Sequence, residues 1–102
     1  MKWFTNEDDD ALFNILDTLR AEKKELYESI KRKGRIFLSS PTRDKLEELL
    51  EMVDLFEKKS AELYMRIFRT ERTLTPYDRI HDEAINKIKY ELMRFKLPND
   101  SD

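Results

Sequence analysis

His81 is the single histidine of the chain, and it lies three residues after Asp78. Residues three apart share one face of a helix, so this carboxylate and imidazole could form an acid–base pair or half of a carboxylate–histidine metal motif. That metal motif requires a second copy, and the sequence has no second histidine. The pattern therefore favours a structural or surface role for His81.

Clustered glutamates give a second candidate site. Residues 47–51 read Glu-Glu-Leu-Leu-Glu, and carboxylates one turn apart can share a hard metal ion. This stretch resembles the first half of the magnesium-binding pattern of all-helical nucleotide pyrophosphatases of the MazG type. The resemblance implies a Glu-x-x-Asp pair on the next helix, where Asp78, Asp82 and Glu83 stand at other spacings. We therefore expect no catalytic residue, metal or cofactor, and a metal-dependent nucleotide hydrolase is the least favoured alternative.

The composition limits the class of protein. The chain has 102 residues, and 20 Lys and Arg nearly balance 22 Asp and Glu, which gives a net charge of −2. This balance argues against a general polyanion binder, which carries a basic excess. The absence of cysteine excludes disulfides and cysteine-ligated metals. Abundant Lys, Arg and Glu without glutamine is typical of thermophile proteins.

The first residues of the sequence predict no signal peptide. Residues 1–6 lack the apolar core of a signal peptide, and residues 7–10 are acidic. No window approaches the ~20 apolar residues that a membrane span needs. We therefore expect a cytoplasmic protein without a membrane partner.

Basic residues form two clusters that could contact phosphates or a protein partner. The predicted contacts are Lys31, Lys33, Arg35 and Arg43 around the first loop, and Arg66, Arg69 and Arg72 near the end of the second helix. Cations also collect at helix C-termini because the helix dipole favours them there. Since the net charge is negative, we favour this second explanation and keep nucleic-acid binding as an alternative.

Three aromatic residues fall outside the apolar stripes of the predicted helices. They are Trp3, Phe4 and Tyr90. Exposed aromatics mark protein interfaces, so these three are predicted interface residues. For Trp3 and Phe4 the alternative is a hydrophobic staple onto the first helix.

Apolar residues recur at helical spacing over three segments, about 7–33, 41–70 and 76–97. Thr75 and Asp78 have the spacing of a capping box at the start of the third segment. The fold class is therefore predicted to be all-α.

Local signals predict where the first two helices meet. Gly34 is the only glycine, and it is predicted to end the first helix as a left-handed C′ residue after the cations 31–33. Ser40 and Pro41 are predicted to be the N-cap and first residue of the second helix. Residues 36–38 would then be an apolar plug beneath the loop.

Short connections favour antiparallel neighbours, so the three long helices should form an up-down-up bundle. We expect one domain over residues 1–98 and a disordered tail over 99–102. The second helix exceeds the third in length, and its long apolar seam at heptad-like spacing suits a homodimer.

Two parts of the chain resemble a known helical domain. Residues 19–22, Leu-Arg-Ala-Glu, lie in the long first helix, while 62–67 and 74–80 form a long helix, a short break and a closing helix. They are similar to the helical domain of archaeal GINS proteins, which are scaffold subunits of the replicative helicase complex. The similarity implies a non-catalytic replication scaffold. The family's basic pairing before the break is matched in part by Arg66 and Arg69, and its small β domain has no room in this chain.

These observations predict a non-enzymatic scaffold or interaction subunit, replication-associated or a viral accessory factor. Its expected partner is a protein or a second copy of the chain. The alternatives are a nucleic-acid-binding protein that uses basic helix ends and the metal-dependent hydrolase.

Overall fold

The computed structural model describes residues 2–70, 74–79 and 81–98, with the backbone alone for 2–10, 12 and 77. The helices are α1 (Lys2–Ser39), α2 (Arg43–Arg69), the one-turn α3 (Pro76–Arg79) and α4 (Asp82–Arg94). These described ranges contain no strand, which confirms the predicted all-α class.

The two long helices run antiparallel. Lys59 of α2 pairs with Glu22 of α1 at 2.7 Å, and Lys33, later on α1, pairs with Glu48, earlier on α2. Both pairs cross the same seam, so the chain reverses at the loop between Ser39 and Arg43. The molecule is elongated, with extents of 67 × 17 × 17 Å.

Helix α4 lies against both long helices. Its Lys89 pairs with Glu57 of α2 at 3.0 Å, and its Asp82 accepts a hydrogen bond from Tyr64, later on α2. It therefore runs antiparallel to α2 and parallel to α1. Helices α1, α2 and α4 accordingly have the predicted up-down-up order.

The buried apolar side chains form two clusters. The larger contains Ile30, Phe37, Leu49, Val53, Phe56, Ile85, Leu92 and Leu97. The smaller contains Leu16, Leu19, Leu63 and Ile67, with Leu74 packed against it. All three helices supply the first cluster, whereas α1 and α2 alone supply the buried members of the second.

Helix α1 continues through Gly34 to Ser39, so its predicted end at residue 33 is wrong. The reason is Phe37, which is 1% exposed and lies two helical turns after the fully buried Ile30. Burying a phenylalanine gains roughly 1.5–3 kcal/mol, which exceeds the ~1 kcal/mol cost of a helical glycine relative to alanine. Residues 36–38 are therefore helical, and the cations 31–33 are not in a last turn.

Helix α2 begins two residues later than predicted. Thr42, with extended backbone angles of −137° and 158°, is its N-cap, and its hydroxyl accepts a hydrogen bond from the backbone N–H of Lys45. Ser40 instead belongs to the end of α1, since its N–H donates to the carbonyls of Ile36 and Phe37. The predicted N-cap at Ser40 is therefore wrong, because serine and threonine are both good capping residues and Thr42 has this role.

The predicted third helix is divided into α3 and α4 and ends at Arg94 rather than residue 97. The carbonyl of Asp78, which would accept a backbone hydrogen bond in a continuous helix, accepts a hydrogen bond from Lys23 of α1 at 2.9 Å.

At the C-terminal end of α4, Phe95 is extended and Leu97 is 6% exposed, so the chain leaves the helix to cover the larger cluster. Pro98 reinforces this ending because a residue before proline disfavours helical angles. The predicted tail, residues 99–102, lies outside the described residues.

Candidate interaction surface

A buried ionic layer lies between the two apolar clusters. Its first element is Arg20 of α1, which donates to both carboxylate oxygens of Asp78 at 2.6 and 3.3 Å. The backbone N–H and the hydroxyl of Thr75 also donate to Asp78, at 3.1 and 3.0 Å, and the N–H of Asp78 donates to that hydroxyl. The predicted capping box is thus present, and its carboxylate has a second use as the partner of Arg20.

The electrostatics of Asp78 follow from these contacts. Its side chain is fully buried, and burial alone would raise its pKa. The hydrogen bonds from Arg20 and Thr75 outweigh burial and hold the pKa of Asp78 below its ordinary value. The hydrogen bond between Arg20 and Asp78 also raises the pKa of Arg20. Both groups are therefore charged at neutral pH.

Lys23 is the second element of this layer and is only 4% exposed. Its ammonium donates to the Tyr64 hydroxyl at 3.2 Å, to the Asp78 carbonyl and to the Asp82 carboxylate at 3.1 Å. It also lies 5.2 Å from the ring centroid of Phe56, which is close enough for a cation–π contact. A charge this deeply buried is stable only when its partners are supplied, as they are here by α2, α3 and α4.

Tyr64 and Asp82 complete the layer. The Tyr64 hydroxyl donates to the Asp82 carboxylate. Burial, followed by this hydrogen bond, raises the pKa of Tyr64, which keeps the hydroxyl protonated. Lys23 and Asp82 also neutralise each other's charge. We interpret the whole layer as a device that fixes α3 and α4 against the long helices.

His81 does not form the acid–base pair that its spacing from Asp78 suggested, since Asp78 is bonded to Arg20 and Thr75. Its ring stacks on Tyr27 of α1, with centroids 3.9 Å apart. Burial, followed by the positive charge of Lys23, lowers the pKa of His81, so the neutral ring dominates at pH 7. These contacts favour the predicted structural role.

The glutamates of residues 47–51 do not converge on a common point. Glu47 and Glu51 are exposed, while Glu48 is paired with Lys33. In the described part of the chain, no group of three or more acidic, histidine or cysteine residues could hold a metal ion.

The basic cluster around the first loop is dispersed in the structure. Lys33 is paired with Glu48, while the Lys31 ammonium lies 5.2 Å from the ring centroid of Tyr27. Arg35 is exposed on α1, and Arg43 is the exposed first residue of α2. Of these four cations, Lys33 is therefore turned towards α2, whereas Lys31 and Arg35 line one groove.

The second basic cluster lies at the other end of α2. Arg66 donates to Glu62 at 3.4 Å and lines a depression with Arg69. This depression adjoins the negative end of the helix dipole, which disfavours a phosphate there. Arg72 lies outside the described residues.

The predicted interface aromatics have separate positions. Trp3 and Phe4 lie on α1, and their side chains fall outside the described part of the structure. Tyr90 is 63% exposed on α4, with the Arg94 guanidinium 5.2 Å from its ring centroid.

A groove with a mainly apolar lining lies between α1 and α4. Its volume is about 230 Å³. It is lined by Ile30, Lys31, Gly34, Arg35, Phe37, Leu38, Leu49, Ile88, Glu91, Leu92 and Phe95. On α1 these residues span 30–38, so the groove is roughly 12 Å long, or slightly more than two helical turns.

Gly34 and Leu38 give this groove its shape. A Cβ atom placed on Gly34 would meet nothing within 4 Å, so the backbone of α1 is open at this point. Leu38, one turn later, is 67% exposed at the edge. Lys31 and Arg35 supply positive charge on the α1 wall, and Glu91 supplies negative charge on the α4 wall.

Sequence reasoning included Lys31 and Arg35 among the candidate contacts but missed Gly34, Leu38 and Glu91 as parts of one surface. The glycine was a signal, since a helical glycine has to be explained. The sequence predicts a helix end at Gly34 because it does not show that Phe37 is buried.

Comparisons with known proteins give no relative for this chain: no family model matches it, and no curated protein or solved structure is significantly similar. Among the described helices, none has the length and apolar character needed to cross a bilayer.

Proposed function

We propose that this protein is a non-enzymatic interaction subunit that binds protein through the groove between α1 and α4. The observation that carries the proposal is the groove itself, which is apolar, open and two helical turns long. A segment of this length accommodates the side chains that one face of a helix presents at positions i, i+3 or i+4, and i+7. Exposed apolar surface with a charged rim is typical of interaction sites.

The buried ionic layer supports the non-enzymatic part of the proposal. Arg20 and Asp78 neutralise each other, and so do Lys23 and Asp82. Groups of opposite charge that are hydrogen-bonded to each other inside a protein hold its elements in place. We therefore assign these four residues to the architecture.

The finer form of the proposal is a cytoplasmic accessory factor, replication-associated or viral. It is supported by the similarity of residues 19–22, 62–67 and 74–80 to the helical domain of archaeal GINS proteins. This form predicts that a replicative helicase complex is captured together with this protein.

Affinity capture from an extract of the source cells tests the proposal with a matched pair of variants. Leu38→Lys places a charge at the edge of the groove, whereas Met93→Lys does so on α4 outside it. The two side chains are 67% and 68% exposed, so neither change should unfold the protein. We expect the wild type and Met93→Lys to capture the same partner and Leu38→Lys to lose it. Equal capture by all three would overturn the proposal.

A further inference from the structure

We propose that the groove between α1 and α4 is a self-association site, filled by the same face of a second copy of this chain. The inference rests on the proposed function and names the partner of that surface. Self-association is supported by the charges on the two walls, the open backbone at Gly34 and the exposure of Leu38.

The two walls carry opposite charge. Lys31 and Arg35 lie on the α1 wall, and Glu91 is the charged residue of the α4 wall. A two-fold axis parallel to the groove makes the α1 wall of each copy face the α4 wall of the other. Arg35 of one copy then faces Glu91 of the second copy, and the reciprocal contact forms as well. The surface is thus complementary to itself.

The shape suits this arrangement. Helix α4 of the second copy passes over Gly34, where the missing side chain permits close approach of two backbones. Leu38, which is 67% exposed in the single chain, becomes buried against Leu92 and Phe95 of the second copy. Within the single chain, no neighbouring atom requires residue 34 to lack a side chain. In the dimer, the close approach of α4 from the second copy requires it.

The expected affinity is modest. A contact of two helical turns is smaller than the ~800 Å² per partner of a standard interface. The dimer should therefore dissociate on dilution. The charge pairs at its rim contribute orientation more than affinity and are weakened by salt.

Charge reversal tests the arrangement, with sedimentation velocity over a concentration series at low salt as the measurement. We expect a concentration-dependent dimer for the wild type. Arg35→Glu and Glu91→Arg should each weaken it by about tenfold, because every single-variant dimer contains two like-charge contacts. An equimolar mixture of the two variants should recover the wild-type affinity, as should the double variant. Arg32→Glu, an exposed change on α1 outside the groove, is the matched control and should leave the dimer unchanged.

A wild type that stays monomeric at the highest concentration would overturn the inference, and so would a mixture that does not recover. Circular dichroism on each variant establishes that it is folded. The proposed function is tested separately. If the wild type is monomeric and Leu38→Lys loses the captured partner, the self-association proposal is wrong and the proposed function stands. Capture that is insensitive to Leu38→Lys removes the proposed function, whatever the sedimentation result.

Discussion

The guanidinium of Arg20 donates to both carboxylate oxygens of Asp78, across 58 residues of sequence, at 2.6 Å from Nε and 3.3 Å from Nη2. The Asp78 side chain is fully buried, whereas that of Arg20 is 28% exposed. This contact joins the one-turn helix α3 to the middle of α1. It therefore determines where the chain returns to the bundle after α2.

Replacing Arg20 with methionine should destabilise the protein by about 3 kcal/mol, since it leaves a buried carboxylate without its cation. This is the lower end of the usual range because Arg20 is partly exposed. Urea unfolding gives the free energy, and Arg32→Met, exposed on the same helix, should change it by less than about 0.5 kcal/mol. The double variant Arg20→Met with Asp78→Asn should be less destabilised than the sum of the single changes. Strict additivity would contradict the pairing.

The Tyr64 hydroxyl should stabilise the fold through its bond to Asp82 and its contact with Lys23. Tyr64→Phe removes the hydroxyl and should cost about 1–3 kcal/mol, since Lys23 and Asp82 lose a buried partner. Tyr90→Phe is the matched control because Tyr90 is 63% exposed, and it should be nearly neutral. Thermal unfolding of the two variants beside the wild type makes the comparison; equal midpoints would argue against a stabilising layer.

Acidification below about pH 6.5 should weaken the fold because of His81. Its pKa is lowered in the folded protein by burial and by the nearby Lys23 and Lys24, against the opposing Asp82 and Glu28. The unfolded chain therefore binds the proton more tightly, so this contribution is complete above pH ~6.5 and is lost as the pH falls through the folded pKa.

His81→Phe keeps a ring beside Tyr27 and removes the titrating group. Urea midpoints measured at several pH values should fall less steeply for this variant than for the wild type. The carboxylates are the same in both proteins, so their contribution to the pH dependence cancels in the comparison. Identical slopes would show that another group causes the pH dependence.

Gly34→Ala should stabilise the protein by up to about 1 kcal/mol. The residue lies inside α1, and the added methyl group would meet no atom within 4 Å. If the residue instead ended the helix in a left-handed conformation, alanine would be destabilising. Urea unfolding of the dilute protein decides between these outcomes, and Phe37→Ala, expected to cost about 3–5 kcal/mol, shows the sensitivity of the measurement.

The all-α class and the three long helical segments could be predicted from local patterns in the chain. Apolar spacing over α1 and α2 is periodic because each helix must bury one stripe, and this requirement is local enough to be read from the chain. The capping box of Thr75 and Asp78 was also readable, since both partners lie within one turn. Helix ends were harder to predict. Gly34 is typical of a helix end and Ser40 of a helix start, but the burial of Phe37 outweighs both signals.

The contacts of the polar residues could not be predicted in this way, because they form between distant parts of the chain. Lys23 occupies a core position of the helical pattern, yet its partners Tyr64 and Asp82 lie 41 and 59 residues away. Nothing local relates Arg20 to Asp78, or Gly34 to Glu91. The first pair is in contact and the second lines one groove only after the helices have packed. The energies of a buried charge and of an open groove depend on what surrounds them, and those surroundings exist only in the folded molecule.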